Sequence, residues 1–240
     1  ERPVITIGLI LLLCLFRPSC HLSPPAADKN TATERHAQEI QGIDISHYQG
    51  TIKWQSLPPA IEFVIIKATE GLTYTDPLLA EHINGASAKP IPWGAYHFFR
   101  PKDDAATQAE HFLAATGHWQ SPLRPILDIE VVDGVDSETL RKGVQTWIEQ
   151  VTAARGCAPL IYASRTFYDD YLGEAFDSTA FWLAEYSGNL VLPKSRTDWL
   201  LWQYKQNGRV AGVSNAVDQN RLNAYKTLED LRCNSVGTNL

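Results

Sequence analysis

The chain has no methionine, four cysteines among 240 residues, and no long run of one charge. Each shortage removes a class of function. The formal net charge is -6 with no basic run behind it, so the footprint that neutralises a polyphosphate backbone is missing and no nucleic-acid partner is expected. Mild acidity also argues against a surface that adheres to anionic lipid, though not against a neutral or mixed-charge glycan. No CxxC and no clustered Cys/His spacing occurs, so a structural zinc site is not expected, nor is any other metal or cofactor. There is no HExxH and no Gly-rich phosphate loop, which leaves metalloprotease and nucleotide chemistry without support.

What is present fits an ordinary globular enzyme: 44% hydrophobic, 20% charged and 10% aromatic residues. One domain is the default at this length. Seven Trp and nine Tyr suit a sugar-binding cleft, because flat rings pack against the C–H faces of pyranoses, although most of them are expected simply to fill the core.

Arg2 precedes an almost unbroken apolar run from Val4 to Phe16, which is short for a membrane span and reads as the core of a signal peptide. An uncleaved anchor is the competing reading, and would be the chain's only link to a membrane. With no Met and Glu1 in first place, the natural start is expected to lie upstream. Residues 1–22 are thus assigned to a signal peptide or anchor, and 23–39, rich in Pro, Ala and Thr without apolar periodicity, to a linker. A folded barrel is expected over 40–231, with a tail at 232–240. Export places the protein in the secreted or periplasmic space and permits a Cys157–Cys233 bridge.

Eight short β-branched or aromatic runs punctuate the domain, at 42–46, 63–68, 93–98, 125–129, 160–163, 181–186, 200–204 and 213–218. Helical segments lie between the early ones. The clearest has Ser137 as N-cap, Leu140, Val144, Ile148 and Val151 on one face, and Gly156 as stop; another starts at Asp103 or Asp104 and ends at Gly117. Strand and helix in alternation signify a parallel sheet with crossovers. The spacing shrinks along the chain, so five βα units are expected, followed by three strands with abbreviated or antiparallel connections.

The sharpest local feature is Ile126-Leu127-Asp128-Ile129-Glu130. Side chains at i and i+2 share a face, so Asp128 and Glu130 project together into the barrel mouth. Barrel active sites lie at that rim, and two adjacent carboxylates push one of the pair towards its protonated form, as a general acid requires. Asp44 on the first strand and Asp218 on the last join them, since first and last strands are neighbours in a closed barrel. A Ca²⁺ or Mg²⁺ site built from the same oxygens is the rival reading.

The sequence resembles glycoside hydrolase family 25, the Chalaropsis-type lysozymes or N-acetylmuramidases. Six motifs occur in the family's order over about residues 40 to 231: GIDISHYQG at 42–50, FVIIKATEG at 63–71, GAYHF at 94–98, LDIE at 127–130, LWQY at 201–204 and VDQN at 217–220. The resemblance implies an α/β fold, an irregular TIM-like (β/α) barrel with five βα units followed by three further strands. It implies retaining cleavage of the β-1,4 bond from N-acetylmuramic acid to N-acetylglucosamine in peptidoglycan. Glu130 matches the family's general acid, and Asp128, Asp44 and Asp218 match the other cleft carboxylates. Tyr96, Tyr162, Lys67, Glu70, Trp182 and Trp202 are expected to bind substrate. Two retaining routes stay open, one through an enzyme nucleophile and one through the substrate's own N-acetyl oxygen; the second, with Asp128 orienting or stabilising the acetamido group, is the provisional assignment. Glu185 departs from the family pattern, either altering a subsite or facing solvent.

His47 and His97 flank the mouth without a partner nucleophile and are expected to hydrogen-bond within the wall. Trp93 joins the stacking candidates, while Trp54, Trp119 and Trp147 read as packing. The chain is expected to act as a monomer. A non-catalytic glycan-binding barrel and a hydrolase of another N-acetylated glycan, such as chitin, remain open alternatives.

Overall fold

The computed structural model describes residues 39–233; the assigned signal segment, nearly all of the linker and most of the tail lie outside the described residues. Eight strands close into a barrel: β1 (Gln41–Ile45), β2 (Ile61–Glu70), β4 (Trp93–Phe98), β5 (Ile126–Asp128), β6 (Leu160–Ser164), β7 (Phe181–Ala184), β8 (Leu201–Gly208) and β9 (Val217–Leu222). A two-residue strand, β3 (Tyr74–Thr75), folds back on the end of β2. Every barrel pairing from β1 through β8 is parallel, whereas β9 runs antiparallel to both β8 and β1 and fills the last gap.

This is the expected irregular barrel, with five strands each followed by a helical connection and then three further strands. Three connections carry full helices: α1 (Leu79–Ala88), α2 (Ala105–Thr116) and α3 (Ser137–Arg155). The first connection has only 3-10 turns, and the fifth only short turns between Arg165 and Phe176. Asp104 caps α2 by accepting from Thr107 N at 2.8 Å. The cap of α3 is Asp136, which accepts from Thr139 N at 2.8 Å, rather than Ser137, which becomes the first helical residue. Gly156 ends α3 at φ 65, a left-handed turn that glycine adopts without cost.

The final strand also differs from expectation. Val213 does not begin a strand; it closes a turn onto Val210, and the strand starts at Val217. Val213 is apolar because it is buried in that turn, where Gly212 O accepts from Lys53 N. The run expected at 181–186 stops at Ala184, leaving Glu185 and Tyr186 on the rim.

Alternation along the strands divides two apolar layers. Phe63, Ile65, Ile126, Leu160, Tyr162, Trp182, Leu201 and Leu222 fill the barrel interior. Ile43, Ile45, Val64 and Ile66 face outward onto Leu79 and Ile83 of α1, Phe112 of α2, and Leu140, Val144 and Trp147 of α3. Gly42 pairs with Phe63 in register, and a Cβ there would overlap the Phe63 ring.

The N-terminal end of the barrel is sealed by the helical turn Leu228–Leu231, whose Leu231 packs into the interior and accepts from Arg124 N at 2.8 Å. Immediately afterwards Cys233 is joined to Cys157 across a Cα–Cα distance of 5.3 Å, 76 residues apart in sequence. The bond ties this plug to the segment leading into β6. Replacing both cysteines with serine is expected to leave the fold intact and reduce stability by about 2–4 kcal/mol. Thermal unfolding would register this as a lowered midpoint, matched by the parent protein under reductant; equal midpoints would show that the plug holds without the bond.

Candidate active site

The opposite end of the barrel is open and acidic. Asp128 is the last residue of β5, and Ile129 N donates to Tyr162 O at 2.9 Å, which prolongs the extended backbone past the strand end. Glu130 therefore emerges beside Asp128, which is buried while Glu130 is exposed at the rim. Asp44 of β1 lies directly opposite Asp218 of β9 in an antiparallel pair. Asp218 sits near the start of its strand, and reaches the same rim as the ends of the parallel strands because β9 is reversed.

These four carboxylates, with Tyr96, Tyr162, Trp182 and Gln203, line a pocket of about 110 Å³. Seven of the ten residues expected to catalyse or bind substrate are thus brought together. Lys67 and Glu70 stand beside the pocket: Lys67 Nζ lies 2.8 Å from Glu70 Oε2 and 5.2 and 5.5 Å from the centres of the Phe98 and Tyr74 rings. Arg100 extends the chain of charges from Glu70 at 3.7 Å to Asp133 at 2.9 Å.

Trp202 does not line the pocket. It occupies the face of β8 opposite Gln203, donates to Glu185 O at 2.7 Å, and packs against the outer apolar layer. Period-two alternation separates it from its neighbour, so its motif position alone misplaces it. Trp93 lines a different hollow of about 290 Å³ on the helical side, with Phe112, Trp119 and Arg155. That hollow contains none of the four carboxylates. Trp147 is fully buried, and Trp54 and Trp119 pack against the outer layer.

Both histidines hydrogen-bond within the wall. His97 is enclosed between Thr69 Oγ1 at 2.8 Å and Gln108 Oε1 at 3.0 Å, and burial pushes its pKa down to about 4. His47 Nδ1 lies 2.9 Å from Asp76 Oδ2 and 3.0 Å from Tyr74 OH. Glu185 is bound by Arg165 Nε at 2.9 Å and by Ser187 N at 3.1 Å. It is therefore an ion-paired rim residue.

Three residues of the site were not singled out in the sequence: Gln203, Asn220 and Tyr186. Gln203 Nε2 donates to Asp44 Oδ2 at 2.9 Å and, at 3.5 Å, to Asp218 Oδ2. Its Oε1 accepts from Tyr162 OH at 2.8 Å and from Tyr186 OH. Asn220 Nδ2 donates to the same Asp44 oxygen at 2.8 Å, while its Oδ1 accepts from Trp182 Nε1 at 2.9 Å. A signal existed in the two motifs, since Asn220 stands at i+2 from Asp218 and Gln203 falls near the end of the run expected at 200–204.

Burial and mutual repulsion raise the pKa values of the carboxylates in this cluster. Asp44 is pushed from 3.8 to about 7, first by burial, then by Asp218, against the two amide donors. Asp128 is raised well above the usual carboxylate range by burial and by Glu130, with Lys67 opposing. Glu130 is also raised, by the protein that crowds out part of its hydration, while a hydrogen bond from Asp128 and the charge of Lys67 oppose the shift. Asp218 rises through burial, against the Asn207 N–H at 3.1 Å. Asp128 and Glu130 can hydrogen-bond only if they share a proton. Asp128 Oδ1 is buried without a hydrogen-bond partner among the described residues. Among those residues no group of three or more His, Cys, Asp or Glu is placed to hold a metal ion.

The chain is similar to known proteins. Glycosyl hydrolases family 25 matches residues 43–213. Lysozyme M1 of Streptomyces globisporus is 32% identical over 211 residues, covering 82% of this chain and 72% of its own. The uncharacterized protein YegX of Escherichia coli K12 is 32% identical over 204 residues, covering 80% and 72%. The crystal structure of a bacterial lysozyme from Streptomyces coelicolor superposes with a TM-score of 0.75 at 31% identity, covering 82% of this chain and 98% of that one. Motifs, barrel and alignment coincide on one conclusion: the chain belongs to glycosyl hydrolase family 25 and is a glycoside hydrolase.

Proposed function

We propose that the chain is a lysozyme that hydrolyses the β-1,4 bond between N-acetylmuramic acid and N-acetylglucosamine in peptidoglycan with net retention, and that Glu130 is its proton donor. The observation that carries this reading is the pairing of an exposed Glu130, its pKa raised, with buried Asp128 on one rim, facing Asp44 and Asp218. The names lysozyme and N,O-diacetylmuramidase among its relatives support the substrate class.

A glycan strand lying across the rim places its glycosidic oxygen at Glu130. A bound sugar removes the remaining water from Glu130, which favours the neutral acid and draws the shared proton from Asp128. As the C1–O bond breaks, Glu130 gives its proton to the departing oxygen. The acetamido oxygen of the same sugar closes on C1, and Asp128, now ionised, stabilises the positive charge that develops on the acetamido group. Water then attacks C1 and passes a proton to Glu130, and the ring reopens with the original configuration.

Cleavage of wall glycan requires the enzyme to act outside the cytoplasm, in the secreted or periplasmic space. The Cys157–Cys233 disulfide supports an oxidising destination. We assign 1–22 to export or anchoring, 23–39 to a linker and 40–231 to a monomeric catalytic unit.

Glu130→Gln keeps the shape of the side chain and removes its acid, and is expected to slow turnover by about 10²–10⁴-fold. Release of reducing ends from purified peptidoglycan, with mass spectrometry of the products, measures this. Fragments ending in muramic acid, lost in the variant, agree with the proposal; release from chitin alone, or equal activity in both proteins, rejects it.

The cluster also carries a cost in stability. Because the fold raises the pKa of Asp44 from 3.8 to about 7, it favours the protonated form, and that stabilisation is lost as pH rises from about 4 to 7. Asp44→Asn is therefore expected to melt close to the parent at pH 4 and above it at pH 8. Calorimetry across that range checks the sign, and a variant less stable than the parent at pH 8 contradicts it.

A further inference from the structure

The carboxamide of Gln203 is 3% exposed and has every hydrogen-bonding direction engaged. Two phenols occupy its oxygen, which forces its N–H donors towards Asp44 and Asp218. Its cross-strand neighbour Asn220 is oriented in the same way, with its oxygen held by Trp182 and its donor directed to Asp44. Two amides from adjacent strands thus converge on Oδ2 of one carboxylate. This leaves Oδ1 of Asp44 for the substrate.

From this we infer that Gln203 is a positioning residue for the reaction: it fixes the orientation of Asp44 and Asp218 and links them through Tyr162 and Tyr186 to the adjoining wall of the cleft on the β6–β7 side. The inference rests on the proposed role of these carboxylates. The groups facing Gln203 are Asp44 on β1, Asp218 on β9, Tyr162 on β6 and Tyr186 beyond β7, with Asp128 and Glu130 of the β5 rim lining the same pocket. Lys67 is a positive charge that acts on both Asp128 and Glu130. No cation contacts Gln203 among the described residues, so its amide donors are the means by which β8 tolerates two neighbouring acids.

Two variants of similar length separate positioning from packing. Gln203→Met removes both donors and acceptor at every pH. Gln203→Glu keeps the shape, repels both aspartates when ionised, and recovers one O–H donor when protonated. Misplacing a reacting group is expected to lower kcat by about 10²-fold with KM little changed. The distinctive outcome is that Gln203→Glu regains activity relative to the parent as pH falls from 8 to 5, while Gln203→Met does not.

A second readout needs no substrate. The thermal midpoints of both variants should fall further below that of the parent as pH rises, because Asp44 and Asp218 ionise without their donor. Equal, pH-independent losses in both variants, or no loss in either, would overturn the inference. If the parent proves inactive on peptidoglycan, the proposed function fails, and the pH dependence of the midpoints still decides the role of Gln203.

Discussion

The antiparallel ladder between β1 and β9 is the contact on which the rest of the structure depends. Seven parallel strands would leave an open sheet whose first and last edges expose unpaired backbone groups, and a strand inserted between them satisfies both edges at once. Reversal of β9 lets a short hairpin from β8 replace a helical crossover. It also brings the start of β9, rather than its end, to the acidic rim, so Asp218 meets Asp44 across one ladder rung.

The same closure explains why the site is acidic and yet stable. Carboxylates on neighbouring strands repel, and burial raises their pKa values further. The antiparallel pairing supplies the remedy, because it sets Gln203 and Asn220 side by side and beside the aspartates they bind. Their oxygens are engaged by Tyr162, Tyr186 and Trp182, so aromatic residues of the wall act through the amides on the acids. On the other flank Lys67 stands against Asp128 and Glu130, partly opposing their rise.

The two ends of the barrel divide the work. The N-terminal end is plugged by Leu231 and tied by the Cys157–Cys233 bond, which places rigidity at the end away from the acidic mouth. The C-terminal end is left open. Loops there carry Tyr186, Glu185 and His47, each held by a specific partner: Gln203, Arg165 and Asp76. A packed base under a polar mouth is the general plan of barrel enzymes, and here it is achieved with only three full helices.

The sequence by itself determined the sheet-forming runs, the five-plus-three rhythm of the barrel, and the shared face of Asp128 and Glu130, because periodicity and spacing are local properties of the chain. It also contained the pairing of Asp44 with Asp218 in outline, once closure of the barrel was assumed. Tertiary structure decided what depends on neighbours in space. The capping of α3 passed to Asp136, and Val213 went to a turn, because hydrogen bonding and packing there outweigh local propensity. Trp202 turned outward because its partner Gln203 faces in. The roles of Gln203 and Asn220 arise only where β8 and β9 meet, since an amide acquires a direction only when its oxygen has been claimed.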